Sequence, residues 1–233
     1  MSWVANTIRS TLGRKLVMAI TGLGLILFLI AHLIGNMMLY IDDGGATFNL
    51  YAHSMAHNPV IYVFEAIIFA GFLFHIVDGI MLTVYNKKSR PVQYHSKKSA
   101  DSVTWSSRNM GILGGILLIF IVLHLANFFA KSKILEPGPE TIQMVNVDGT
   151  MVRDLYGVVQ ESFSVWWYSA IYVVCMIALG LHLYHGFESA FRTLGMSHKK
   201  YAPFVSALGI IYSIVVPALF ASMPVYFFLT SNS

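Results

Sequence analysis

Five long apolar runs, separated by polar stretches, dominate the pattern along this chain. They cover about residues 16–40, 60–85, 109–130, 165–191 and 204–229. At ~1.5 Å per residue, a helix of such length crosses the ~30 Å hydrocarbon core of a bilayer. The punctuation between runs agrees. Ser10 or Thr11 is placed to cap the start of the first helix, and Asp42-Asp43-Gly44-Gly45 stops it with turn residues. Residues 46–59 read as a loop containing His53, His57 and Pro59. Residues 131–164 read as the longest loop, with Pro137, Pro139 and a turn at Asp148-Gly149. Pro217 and Pro224 fall inside the fifth run, which a membrane helix tolerates when neighbours take up the freed carbonyls. The pattern predicts an all-α membrane protein of five spans, a single transmembrane domain over residues 1–233.

Composition sharpens this. Of the 233 residues 56% are hydrophobic and only 11% charged, where a soluble domain carries about a quarter charged residues. The mean hydropathy is +0.66. A single cysteine, Cys175, excludes an internal disulfide framework and the two-cysteine attachment of a c-type haem. The first run is too long for the apolar part of a cleavable signal and has no small-residue cleavage site after it. Twelve of the 15 lysines and arginines fall on one side of the predicted topology: before the first span, between the second and third, and between the fourth and fifth. Only Lys131, Lys133 and Arg153 fall on the other. The positive-inside rule then places the N-terminus in the cytoplasm. Trp166, Trp167 and Tyr168 at the outer end of the fourth span, and Trp105 at the inner end of the third, fit an aromatic belt.

The chemistry lies in the histidines. A titratable residue inside a membrane-length apolar run is costly and marks a functional interior position. Each of the first four runs carries one: His32, His75, His124 and His182. Counted from the inner charges Lys15 and Arg108, His32 and His124 sit ~25 Å from the inner edge. Counted from Lys87 and Arg192, His75 and His182 sit ~15–18 Å from it. Four histidines therefore form two layers of two: an outer pair His32/His124 and an inner pair His75/His182. Two imidazoles facing each other across a helical bundle suit the axial positions of a haem iron. Gly71, Gly79, Ala178, Gly186 and Gly35 lie near these positions and leave room for a flat macrocycle; the alternative is that they only allow close helix packing. His185 competes with His182 as the inner ligand, and zinc is the rival metal, though neither thiolates nor clustered carboxylates accompany these histidines.

Taken together, the constellation resembles the dihaem, single-polypeptide cytochrome b anchor of succinate:quinone oxidoreductases, the succinate dehydrogenases and fumarate reductases. The resemblance covers nearly the whole chain. It rests on five spans with a histidine on each of the first four and none on the fifth. It rests also on Ala31-His32 with Gly35-Asn36, Phe74-His75, Leu123-His124, and Leu181-His182 with Gly186. It implies two b haems, the first four helices forming the haem-binding bundle, with His32 and His124 as ligands of the outer haem and His75 and His182 of the inner. It implies a quinone substrate, commonly menaquinone in dihaem members, and cytoplasmic iron–sulfur and flavoprotein partners, the latter holding the dicarboxylate chemistry. The implied location is a bacterial cytoplasmic (inner) membrane. One departure stands out: the glutamate that some fumarate reductases carry two residues before the fourth ligand is Gly180 here, which puts a proton path of that kind in doubt.

Candidate partners for the inner haem's propionates are Arg14, Trp105, Ser107, Arg108 and Arg192. Candidates for an outer quinone site are Asp42, Asp43, His53, His57 and Glu65, with Tyr51 and Asn49 adding neutral hydrogen bonds. Two other classes remain open: the cytochrome b subunit of a hydrogenase or formate dehydrogenase, and a transporter that moves protons on its histidines.

Overall fold

The computed structural model describes residues 10–88, 104–138, 140–196 and 198–231. Arg9, His95 and the basic residues Arg90, Lys97 and Lys98 lie outside the described residues.

Helix α1 spans Thr11–Asn36 and runs on into a 3₁₀ turn, Met37–Tyr40. Ser10 caps it: its Oγ accepts the amide of Gly13 at 3.0 Å. Gly44 and Gly45 take positive φ, 66° and 85°, and reverse the chain. The stretch after them is not the loop that its length and histidines suggest. It is helix α2, Ala46–His57. Asp43 explains it, because its carboxylate accepts the amides of Gly45 (3.0 Å) and Thr47 (2.9 Å), the donors a helix start leaves orphaned. Asn58 caps the next helix through Val60 at 2.9 Å, and Pro59 occupies its first position, where no amide is needed.

That helix, α3, spans Pro59–Lys88. A short α4, Trp105–Arg108, is capped by the Thr104 hydroxyl. Helix α5, Met110–His124, passes directly into a ten-residue π-helical stretch, Leu125–Ile134. The guanidinium of Arg153 closes that stretch by donating to the carbonyls of Lys131 (2.6 Å) and Leu135 (2.7 Å). The predicted long loop is largely ordered structure. Strands β1 (Met144–Val147) and β2 (Thr150–Arg153) form an antiparallel hairpin, Val147 opposite Thr150. Its two-residue turn, Asp148-Gly149, has positive φ at both positions, which matches the twist of the strands. Asp154 then caps helix α6, Leu155–Ser164, by accepting the amide of Gly157 at 2.9 Å. Helix α7 spans Trp166–Thr193 and ends with Gly195 at φ 85°. There Met196 donates back to Phe191, and Gly195 to Arg192, the bonds of a Schellman close. Helix α8 spans Ala202–Ser231 and contains both prolines.

Among the described residues, five helical segments are long and apolar enough to cross a membrane: Thr11–Tyr40, Pro59–Asn86, Met110–Ile134, Trp166–Thr193 and Ala202–Ser231. Apolar side chains such as Val63, Phe64 and Ile67 stand exposed along α3, a surface that water would disfavour and lipid would not. The chain is a multi-pass transmembrane protein.

Two compact units divide the chain, each drawn from three separate stretches. Unit one comprises Met1–Phe28, Ile68–Ile116 and Ala178–Val215. Its helices pack on small residues and aromatic edges. A Cβ on Gly209 would fall 2.9 Å from the Phe187 ring, one on Gly111 2.9 Å from Thr83 Cγ2, and the buried Tyr212 hydroxyl donates to the Ile26 carbonyl at 2.7 Å. Unit two comprises Leu29–Ile67, Leu117–Ile177 and Val216–Ser233. Asn49, only 2% exposed, organises one end of it: its Nδ2 donates to Asp154 Oδ1 and its Oδ1 accepts the amide of Tyr156, both at 2.9 Å.

Candidate metal centre: two histidine pairs

Each unit holds one histidine pair. In unit one, His75 of α3 and His182 of α7 lie with ring centroids 6.2 Å apart and planes at 66°. His182, rather than His185, is the ring set against His75. Helix α1 backs this pair with Thr21, whose Oγ1 is 3.3 Å from His75 Nδ1, and with Gly22, where a Cβ would stand 3.4 Å from His75 Cε1. Nδ1 of His182 is buried and has no hydrogen-bond partner, the only such side-chain nitrogen or oxygen among the described residues. An orphan of this kind is unfavourable unless a further group completes the site. A Cβ on Gly71 or Gly186, one turn from each histidine, would meet no atom within 4 Å.

In unit two, His32 of α1 and His124 at the end of α5 lie 5.8 Å apart, with planes at 86°. Aromatic rings wall this pair. Phe220 of α8 is 5.7 Å from His32, and Phe120 and Phe128 are 5.7 and 5.3 Å from His124. A hydrogen-bonded chain leads away from His124: Nδ1 to the Tyr172 hydroxyl (3.4 Å), on to the Tyr168 hydroxyl (3.2 Å), which accepts from Asn127 Nδ2 (3.0 Å). Asn127 also donates to Ser162 Oγ at 2.8 Å. Tyr168 therefore belongs to this interior network, while Trp166 and Trp167 are exposed as a belt requires. Gly35 makes room for protein: a Cβ there would stand 2.7 Å from the Tyr51 ring, so Tyr51 is the group that uses this gap.

The remaining candidates spread more widely. Around the inner-haem candidates, Arg192 donates to Glu188 at 2.6 Å on its own helix face, and Trp105 and Arg108 are exposed; Ser107 uses its amide on the Thr104 cap and Arg14 is half-buried. Among the quinone candidates, Asp42 is exposed and Asp43 is occupied as a cap. Hydrogen bonds from Thr47, side chain first and then amide, hold the Asp43 carboxyl below the usual carboxylate range. His53 and His57 stack on one face of α2, centroids 4.1 Å apart, with His57 Nδ1 2.8 Å from the His53 carbonyl. Glu65 is tied to Lys133 at 2.5 Å, and the Lys133 ammonium lies 4.8 Å over the Tyr62 ring. Nearby, burial raises the Tyr156 phenol above its ordinary value.

No family model, characterised protein or solved structure matches this chain. The site must be read from its own chemistry. With metal–imidazole bonds of ~2 Å, two axial imidazoles on one ion place their ring centroids ~6 Å apart. Both pairs have that separation. Among the described residues no three His, Cys, Asp or Glu side chains gather as a metal-binding group. A pair of imidazoles suits a metal that brings its other ligands in a macrocycle better than it suits tetrahedral zinc, which takes three or four donors from protein. The identity and spacing of these donors suit haem b.

Proposed function

We propose that this chain is the membrane-anchor, electron-transfer subunit of a succinate:quinone oxidoreductase, holding one haem b at each histidine pair. The observation that carries the proposal is the pairing: two couples of imidazoles from different helices, each ~6 Å apart in an apolar setting. Bound there, haem would supply a one-electron redox centre, with the two histidines of each pair as the residues that would hold it.

The chain's own residues perform the rest. His75 and His182 hold the inner group, His32 and His124 the outer. Phe120, Phe128 and Phe220 line the outer pair and keep water out, and the Tyr172–Tyr168–Asn127 chain fixes the orientation of the His124 ring. Electrons enter at the cytoplasmic side from an iron–sulfur partner and leave to quinone on the outer side, with the dicarboxylate chemistry on the flavoprotein. Glu65, with Lys133 beside it, and the His53/His57 face of α2 supply the groups that quinone protonation needs at that end. Arg14, Trp105, Ser107, Arg108 and Arg192 remain the groups from which propionate partners are drawn.

The test is spectroscopic. Purified full-length protein should contain two low-spin b haems. His75→Ala and His182→Ala should remove one redox component, and His32→Ala and His124→Ala the other. A wild-type protein without haem overturns the proposal; loss of the same component in His75→Ala and His124→Ala overturns the pairing. Co-purification of a hydrogenase or formate dehydrogenase subunit, in place of a flavoprotein and an iron–sulfur protein, would move the chain to that neighbouring class.

A further inference from the structure

The hydroxyl of Thr21 has one proton and a choice of partners. It lies 2.8 Å from the Val17 carbonyl and 3.3 Å from that of Met18, both on its own helix. A carbonyl only accepts, so the short contact takes the hydroxyl proton. The third neighbour, His75 Nδ1 at 3.3 Å, then faces an oxygen lone pair. The oxygen that α1 offers therefore asks the imidazole to donate at Nδ1. A neutral imidazole that donates at Nδ1 carries its free lone pair on Nε2.

We propose that Thr21 is a positioning residue for His75: by accepting the Nδ1 proton it selects the tautomer whose Nε2 binds metal, and it raises the donor strength of that nitrogen. The proposal rests on the haem reading above. Gly22, next to Thr21, faces the same ring: a Cβ there would stand 3.4 Å from His75 Cε1, so the imidazole lies close against α1. The contact is also one-sided, since Nδ1 of the facing His182 has no protein partner. Within this pair, therefore, only His75 has its Nδ1 served by a side chain. Metal-bound histidines generally donate their second ring proton to a fixed acceptor, and that bond strengthens the ligand. A stronger donor favours the oxidised metal, so removing the acceptor should raise the midpoint potential.

The experiment uses purified full-length protein with its haems, comparing wild type, Thr21→Val and Thr21→Ser. Valine keeps the shape and removes the lone pair; serine keeps the hydroxyl. The readouts are haem content, midpoint potentials and the low-spin electron paramagnetic resonance signals. In T21V the component that His75→Ala abolishes should shift upward by about fivefold in its oxidation–reduction equilibrium, the size of one ordinary hydrogen bond, or roughly 40 mV for one electron. The other component should stay in place, and T21S should restore the wild-type value. Selective loss of the His75-dependent haem in T21V, with retention in T21S, supports the same conclusion. An unshifted potential in T21V, equal shifts of both components, or a T21S variant as displaced as T21V would overturn the role of Thr21. A wild-type protein free of haem would instead overturn the functional reading on which it depends.

Discussion

Replacing Asn49 with alanine should loosen one end of unit two in a measurable way. The side chain is 2% exposed and makes two bonds, one to the Asp154 carboxylate and one from the Tyr156 amide, each at 2.9 Å. A bond to a charged group contributes about 1.5–3 kcal/mol and a neutral one about 0.5–1.5 kcal/mol. Alanine removes both and leaves the Tyr156 amide without its acceptor. A loss of about 2–4 kcal/mol in local stability is expected, which is on the order of a 10²-fold rise in the population of the open form. Because Asp154 caps α6 through Gly157, the loss should appear where α6 begins. Native-state hydrogen exchange of the detergent-solubilised protein measures it directly. Amides of Tyr156, Gly157 and Val158 should exchange about a hundredfold faster in Asn49→Ala, while those of α8 stay protected. If the three amides keep their wild-type protection to within twofold, Asn49 is not the tie described here, and its bonds to Asp154 and Tyr156 are replaceable by water.

Two further outcomes follow from the same end of the chain. The Asp43 carboxyl is held below its ordinary range, so its support of α2 is complete above the unfolded-state value and is lost as pH falls through the lowered folded-state value; the Thr47 amide should lose protection on that acid side in wild type and show no such pH dependence in Asp43→Asn. Breaking the Glu65–Lys133 pair from one side strands a half-buried charge, so Glu65→Gln and Lys133→Met should each melt lower than wild type by more than the double variant does, and strict additivity in the double-mutant cycle would show that the two are independent.

The spans and the histidines were legible because both are anomalies of composition. An apolar run of more than twenty residues has few other uses, and a histidine within one stands out against it. The pairing was legible as well, since counting from the charged ends depends only on the rise of a helix. The secondary structure between spans was hidden for a different reason. Residues 46–57 carry no strong apolar period, and what makes them a helix is a carboxylate three residues upstream, Asp43, together with two glycines at positive φ. The hairpin announced its turn, Asp148-Gly149, but its strands of four residues each were too short to read. The surroundings of the histidines were least accessible. Whether Tyr172 or Phe220 meets an imidazole depends on how α7 and α8 are rotated about their axes, and these helices have little amphipathic signal to fix that rotation. Lys133 and Arg153 were read only as charges on the less basic side; their acceptors, Glu65 and two backbone carbonyls, come from sequence positions far away or from the irregular end of the π-helical stretch. Asn49 bonds Asp154 and Tyr156, and Tyr51 lies against Gly35, neighbours that sequence spacing does not reveal.

The division of the chain into two units, each stitched from three stretches, bears on how the protein is made. Both units draw on α8, unit one on its first half and unit two on its second. Neither can close while the ribosome is still short of that helix, so α1, which emerges first, waits in the bilayer for partners such as Phe220 and Tyr212 that are translated last. Nor does any continuous fragment of the chain contain one unit without crossing into the other. Insertion of the spans and completion of the two units are therefore separate events in time.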